Sequence, residues 1–133
     1  MKRIMLDTNI CIYIIKNRPL HVKKRLSDYS VGDVTLSSVV VSELYFGAYK
    51  SEKVEQNLMA LEEFLKPFDI LEYGTSASKE YGKLRATLER SGTIIGGMDM
   101  LIAAHALASD MTLVTNNTKE FKRVERLRVE NWV

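Results

Sequence analysis

The feature that most constrains this chain is its alternation of short apolar runs with longer amphipathic ones. Ile4-Met5-Leu6, Val34-Thr35-Leu36, Phe68 to Leu71 and Met111 to Thr115 are short, apolar and bounded by turn or capping residues, so they read as strands. Helical stretches lie between them. Asp7-Thr8-Asn9 offers capping oxygens to a helix over Ile10 to Ile15, which Pro19 ends. A second helix is expected over Leu20 to Tyr29, and Ser37 or Ser38 caps a third that reaches Tyr49. Val54, Leu58, Leu61 and Leu65 fall on one helical face before Pro67, and Ala77, Tyr81, Leu84 and Leu88 mark another. Met98 to Ser109 is almost wholly apolar, which predicts a helix buried on most sides. A short helix near Thr118 to Arg123 and a last strand near Arg128-Val129 complete the pattern.

Strands alternating with helices predict an α/β fold: a small, mostly parallel sheet flanked by helices. In such sheets ligands bind beyond the carboxyl ends of the strands. That rule selects Asp7, Ser37, Ser38 and the stretch Thr115 to Asn117 before any chemistry is considered.

The 133 residues suit one domain, spanning 1–133. A composition of 46% hydrophobic and 27% charged residues is that of an ordinary globular chain, and excludes disorder and collagen-like or coiled-coil architectures. The single Cys11 excludes a disulfide scaffold and fits a reducing cytosol. Asp7 interrupts the apolar run after Met1-Lys2-Arg3 too early for a signal peptide. No run approaches the ~20 apolar residues of a membrane span, so a cytoplasmic protein is expected. The net charge of +2 says little, but its distribution says more. Lys16, Arg18, Lys23, Lys24 and Arg25 form one basic run, and Lys119 to Arg128 forms another around Glu120 and Glu125. Each run alone reads as a solvated helix face; together they suggest a local anionic partner such as a phosphate backbone.

Three acids stand among apolar neighbours: Asp7 after Ile4-Met5-Leu6, Glu43 within Val39 to Tyr45, and Asp99 within Gly96 to Ile102. A carboxylate in an apolar run is costly unless it is paired, hydrogen-bonded or metal-bound. Each has a bland explanation, as a helix cap for Asp7 and Asp99 and as a polar-face residue for Glu43. Converging on one cleft, however, they would raise one another's pKa and call for a cation. Oxygen-only ligation favours Mg²⁺ or Mn²⁺. Thr115, Asn116, Asn117 and Glu120 add polar groups at the same edge. Such a site suits phosphodiester hydrolysis.

Other chemistries fit less well. Cys11 lies in an apolar run with no nearby base and reads as core, and His105 reads as a packed or hydrogen-bonded side chain. No Gly-x-Ser-x-Gly, Walker loop or zinc pattern is present. A phosphatase with Asp7 as nucleophile would place a second Asp two residues on, where Asn9 stands. A non-catalytic module that binds RNA or a partner helix is the other alternative.

Met5-Leu6-Asp7-Thr8-Asn9, Ser42-Glu43-Leu44 with Gly47-Ala48, Asp99 to Ala106, and Leu113 to Asn117 with Glu120-Phe121 together resemble the PIN-domain ribonucleases. Within that family the chain is similar to the VapC toxins of bacterial VapBC modules. The resemblance implies a PIN-type α/β/α sandwich and Mg²⁺- or Mn²⁺-dependent endoribonuclease activity. Asp7, Glu43 and Asp99 match the family's acidic metal-binding triad, and Glu120 matches a fourth acid. Thr115 and Asn117 match positions lining the site. The resemblance further implies a structured RNA substrate, often the anticodon stem-loop of a tRNA. It also implies a homodimer, and a VapB-type antitoxin that blocks the site and binds the promoter. Asn117 departs from the Asp that many PIN domains carry there. An amide binds Mg²⁺ more weakly than a carboxylate, so Glu120 or RNA phosphates would supply the missing charge.

Overall fold

A computed structural model describes residues 3–133. Its elements, in chain order, are β1 (Ile4–Leu6), α1 (Thr8–Lys16), α2 (Leu20–Leu26), β2 (Val34–Ser37) and α3 (Ser38–Tyr49). There follow α4 (Val54–Leu65), β3 (Asp69–Leu71), α5 (Thr75–Ser91), α6 (Gly97–Ala108), β4 (Thr112–Val114), α7 (Thr118–Phe121) and β5 (Val129–Glu130). The strands form one sheet in the order β3-β2-β1-β4-β5, with every pairing parallel. The expected α/β/α arrangement of sheet and flanking helices is what forms.

The three apolar runs at the centre of this order are buried on both faces. Ile4, Met5, Leu6, Val34, Leu36, Leu113 and Val114 are at most 2% exposed. This is the reason a parallel sheet reads as continuous apolar stretches rather than as alternation. Register aligns Ile4 with Val34 on one side and with Thr112 on the other. Thr35 enters the core without penalty because its Oγ1 donates to the carbonyl of Ile4 at 2.9 Å. The edge strands β3 and β5 are less buried than the central ones, as an open edge allows.

Helix α6 is the most deeply covered. Met100, Ile102, Ala103, Ala104, His105 and Ala106 are all buried, and its alanines let it lie closely along α5. Both ends of the flanking helices are set by local chemistry. Asn17 closes α1 in the left-handed region at φ 56°. Gly92 closes α5 at φ 67°, its N–H donating to Glu89 while Thr93 donates to Leu88. That turn sends the chain into the 93–96 loop ahead of Asp99. Helix α2 is shorter than expected: it stops at Leu26, where Ser27 Oγ donates back to Lys24 at 2.6 Å and a series of turns reaches Tyr29. Trp132 seals the C-terminal edge, 3% exposed and stacked on Tyr29 with centroids 5.6 Å apart. Cys11 is fully buried core.

The chain begins at the centre of the sheet, builds outward through β2 and β3, then returns to the other side of β1 with β4. The order therefore reverses between β1 and β4. In a parallel sheet that switch point opens a crevice at the carboxyl ends of the strands. Asp7 follows β1 and Thr115 follows β4, so the two flank that crevice.

Candidate active site and metal centre

Asp7 is the most buried acid of the site, 5% exposed, at the mouth between β1 and β4. Its Oδ1 accepts from the backbone N–H of Thr8 at 2.7 Å and so caps α1. Its Oδ2 accepts from Thr115 Oγ1 at 2.7 Å. Thr115 is itself fully buried, and its Oγ1 accepts the N–H of Asn117 at 3.0 Å. Burial raises the Asp7 carboxyl above the ordinary range, and the bonds from Thr115 and Thr8 hold part of that rise back.

Asp99 sits in the first turn of α6, half-covered, with its Oδ2 accepting from Asn117 Nδ2 at 3.2 Å. Its carboxyl is pushed up to about 6, first by burial and then by the negative charges of Asp7, Glu120 and Glu43, with a hydrogen bond to Glu120 adding to the rise. Asp7 after β1, Glu43 of α3 and Glu120 of α7 thus lie near enough to Asp99 of α6 for their charges to act on it. Among the described residues no Lys or Arg forms an ion pair with any of the four. The charge is left uncompensated by protein. Nor do any three of these side chains among the described residues close into a finished ligand cage. The acids form a loose ring around Asp99 rather than a closed cage.

Asn117 has a particular place in that ring. Its amide N–H₂ donates to Asp99, so it steadies an acid, and only its Oδ1 remains to act as an ion ligand. His105 takes no part in the cluster. It is buried beside β2, its Nδ1 sharing a 2.7 Å hydrogen bond with Ser37 Oγ, and its ring meets Tyr73 edge-on at 5.5 Å. Burial lowers its pKa, partly offset by a backbone hydrogen bond to Glu72. Cys11 is close enough for the Asp7 charge to add to the rise that burial imposes on its thiol, so it is no nucleophile.

Comparison with known proteins meets the site at this point. Residues 4–127 match the family model for the PIN domain. The chain belongs to the PIN-domain family. Among the relatives of this PIN domain is a Haemophilus influenzae protein named ribonuclease VapC2, 46% identical over the full length of both chains. Another is a Shigella flexneri protein named tRNA(fMet)-specific endonuclease VapC, 45% identical over 99% of each. In structure the PIN domain resembles the Rickettsia felis VapBC2 complex bound to a DNA fragment from its promoter. That match has a TM-score of 0.91 at 44% identity, and it covers 97% of this chain and 98% of the other.

One polar contact of the PIN domain is not visible in the sequence. Asn116 donates through Nδ2 to the hydroxyl of Tyr13 at 3.0 Å, which ties the loop after β4 to α1. Its Oδ1, and Thr8 Oγ1, are buried without a protein partner beside the acid cluster. No spacing rule links Tyr13 to Asn116, because the pair forms only when β1 and β4 lie side by side. The segment before Asp99 also carries exposed apolar groups, Ile94 at 46% and Met98 at 41%.

Proposed function

We propose that this PIN domain is a divalent-metal-dependent endoribonuclease toxin with Asp7, Glu43 and Asp99 as the acids that hold the ion. Glu120 and the Oδ1 of Asn117 assist, and Thr115 orients Asp7. Mg²⁺ or Mn²⁺ is the ion that an all-oxygen donor set favours. One observation carries the reading: four carboxylates share a half-buried cleft with no lysine or arginine of the described residues to neutralise them.

When bound, such an ion lowers the pKa of an attacking water and offsets charge on the scissile phosphate. The protein's own part is positioning. Thr8 N–H and Thr115 Oγ1 fix both oxygens of Asp7, leaving its remaining lone pairs directed into the cleft. Asn117 does the same for one oxygen of Asp99. The negative cleft repels a phosphodiester until a cation is present, so the ion is expected to strengthen binding at the cut site, while contacts outside the cleft do not depend on it.

The substrate is taken to be structured RNA, with tRNA first and its anticodon stem-loop as the cut region. The name of the Shigella flexneri relative supports tRNA(fMet) as the starting candidate. The protein's inhibitor is taken to be a VapB-type antitoxin, as in the similar VapBC2 complex, and the free toxin a homodimer. No helix among the described residues is long and apolar enough to cross a membrane, in keeping with work on cytoplasmic RNA.

The test is cleavage of total tRNA by antitoxin-free protein in Mg²⁺, Mn²⁺ or EDTA. Discrete fragments that need the metal and vanish in Asp7→Asn are expected. A folded wild-type protein that binds metal yet leaves every RNA intact would refute the reading.

A further inference from the structure

The second basic run does not spread over a helix face. Lys122, Arg123 and Arg126 follow α7 and turn towards α5, where they meet Lys83 and Thr87 across an open groove of about 520 Å³, with Thr93 at its near end. Glu125 is the one acid on its wall.

We propose that this groove holds the phosphodiester backbone of the RNA strand on one side of the cut site. The inference rests on the nuclease reading above. Three observations carry it. First, two segments join the groove to the acid cluster along the chain. Lys122 lies two residues past Glu120, and Thr93 lies in the loop that leads to Asp99. Arg123 Nη1 also donates to the carbonyl of Ile94 in that loop.

Second, the cations are held in place rather than free to sweep. Arg123 Nη1 donates to the carbonyl of Ile94 at 3.0 Å. Arg126 Nη2 and Lys83 Nζ both rest on Glu80, at 2.8 and 3.6 Å, and Glu80 is largely covered while Arg126 and Lys83 stay 64% and 72% exposed. Glu80 therefore anchors the cations from below and leaves their remaining N–H groups open above. Preorganised donors lose less freedom on binding than loose ones. Third, the other basic run does not gather its cations into one groove: Lys16 and Lys23 border separate cavities. Its Arg25 is engaged by Glu130 and lies over the ring of Trp132 at 5.6 Å, serving the C-terminal edge. Beside the apolar Leu84, Leu88, Leu107 and Val124, the groove carries four cations and the hydroxyls of Thr87, Ser91 and Thr93, donors that suit phosphate oxygens, and it offers no flat aromatic platform for bases.

The experiment measures binding of fluorescein-labelled tRNA in EDTA, over a range of salt, to wild type, Lys122→Gln and the double variant Lys83→Gln with Lys122→Gln. Arg85→Gln, on the same helix but bonded to Tyr81 and Glu89 outside the groove, is the control for lost charge. Lys122→Gln is expected to weaken binding about threefold to tenfold, and the salt slope to fall by about one, and by about two in the double variant. The control keeps its slope. With metal, KM for tRNA rises in the groove variants far more than kcat falls. Unchanged affinity and slope in both variants, alongside metal-dependent cutting by wild type, overturns the groove and leaves the nuclease reading intact. Lost binding in a protein that cuts nothing supports the groove and refutes the nuclease reading. Loss of antitoxin binding with tRNA binding retained makes the groove a protein-docking surface and also overturns the proposal.

Discussion

Two clusters of buried polar groups sit at the carboxyl ends of neighbouring strands, and they are built on opposite principles. Beyond β2, Val39 N–H donates to Ser37 Oγ, and Ser37 in turn meets His105, which is bonded to the backbone of Glu72. The Ser37 hydroxyl joins Val39 N–H and the His105 ring, and burial favours the neutral form of that ring. Beyond β1 and β4, Asp7, Glu43, Asp99 and Glu120 face one another, and burial and mutual repulsion raise the Asp99 carboxyl to about 6. The first cluster has its bonds closed within the protein and ties β2, α3 and α6 together. The second is open: its carboxylates meet one another's charge with no basic side chain paired to them among the described residues. Burial of polar groups alone does not mark function; burial of uncompensated like charge does.

The largest effect that would break this contrast lies in the acid cluster. Asp7→Asn keeps the shape and the cap on α1 but removes a charge, so tRNA cleavage should fall below detection while circular dichroism and melting show a folded protein. Near-normal cleavage would remove Asp7 from the chemistry. Thr115→Val deletes the bond that orients Asp7, and a loss of activity of roughly 10–100-fold is expected, the range for a partner that positions a metal ligand. A quantitative rescue by Thr115→Ser would separate the hydroxyl from the packing of its methyl.

In the closed cluster the expected effect is on stability instead. His105→Leu leaves the Ser37 hydroxyl and the Glu72 backbone without their partner, which costs about 2 kcal/mol, or roughly 6 °C in Tm. Cleavage per folded molecule should hold. Asp99→Asn should act with the opposite sign: removing a repelled charge stabilises the metal-free protein while activity is lost. The carboxyl is half-open to solvent, so the gain after screening is about 1 kcal/mol, a few degrees in Tm. Mg²⁺ should raise the Tm of wild type and leave Asp99→Asn nearly unmoved. A variant that melts below wild type in EDTA would show that repulsion is not what shapes the cleft.

The two clusters also differ in how far they can be read from the chain. The acids are conspicuous because carboxylates rarely occur inside runs such as Ile4-Met5-Leu6-Asp7, and the four motifs carry family spacing. The central strands are conspicuous for the same reason, since burial on both faces forces apolar content. The His105 cluster leaves no such trace. Ser37 and His105 lie 68 positions apart and meet only because β2 and α6 pack together. The groove beside α5 is hidden likewise: its cations look like a solvated run until Glu80, on another helix, is seen to anchor Arg126. The end of α2 was misjudged because the side-chain bond of Ser27 to Lys24 decides it, not periodicity.

Acid gives the finest test of the closed cluster. Burial lowers the folded-state pKa of His105 below its ordinary 6.5. Above pH 6.5 both folded and unfolded chains carry this ring neutral, and it contributes no pH dependence. Below 6.5 the unfolded chain takes up a proton that the folded one refuses, so stability falls with pH until the folded pKa is reached. Ser37 sharpens the reason. With Val39 N–H already donating to its oxygen, Ser37 has its own O–H free to donate to Nδ1, and a protonated ring would turn that acceptor into a donor facing a hydroxyl hydrogen. The ring's proton resonances, followed by NMR from pH 8 to 5, should therefore titrate late. In Ser37→Ala the acceptor role at Nδ1 is released, and the midpoint should move back towards 6.5. An unshifted midpoint in wild type would mean that water reaches the ring, and that this cluster is not closed.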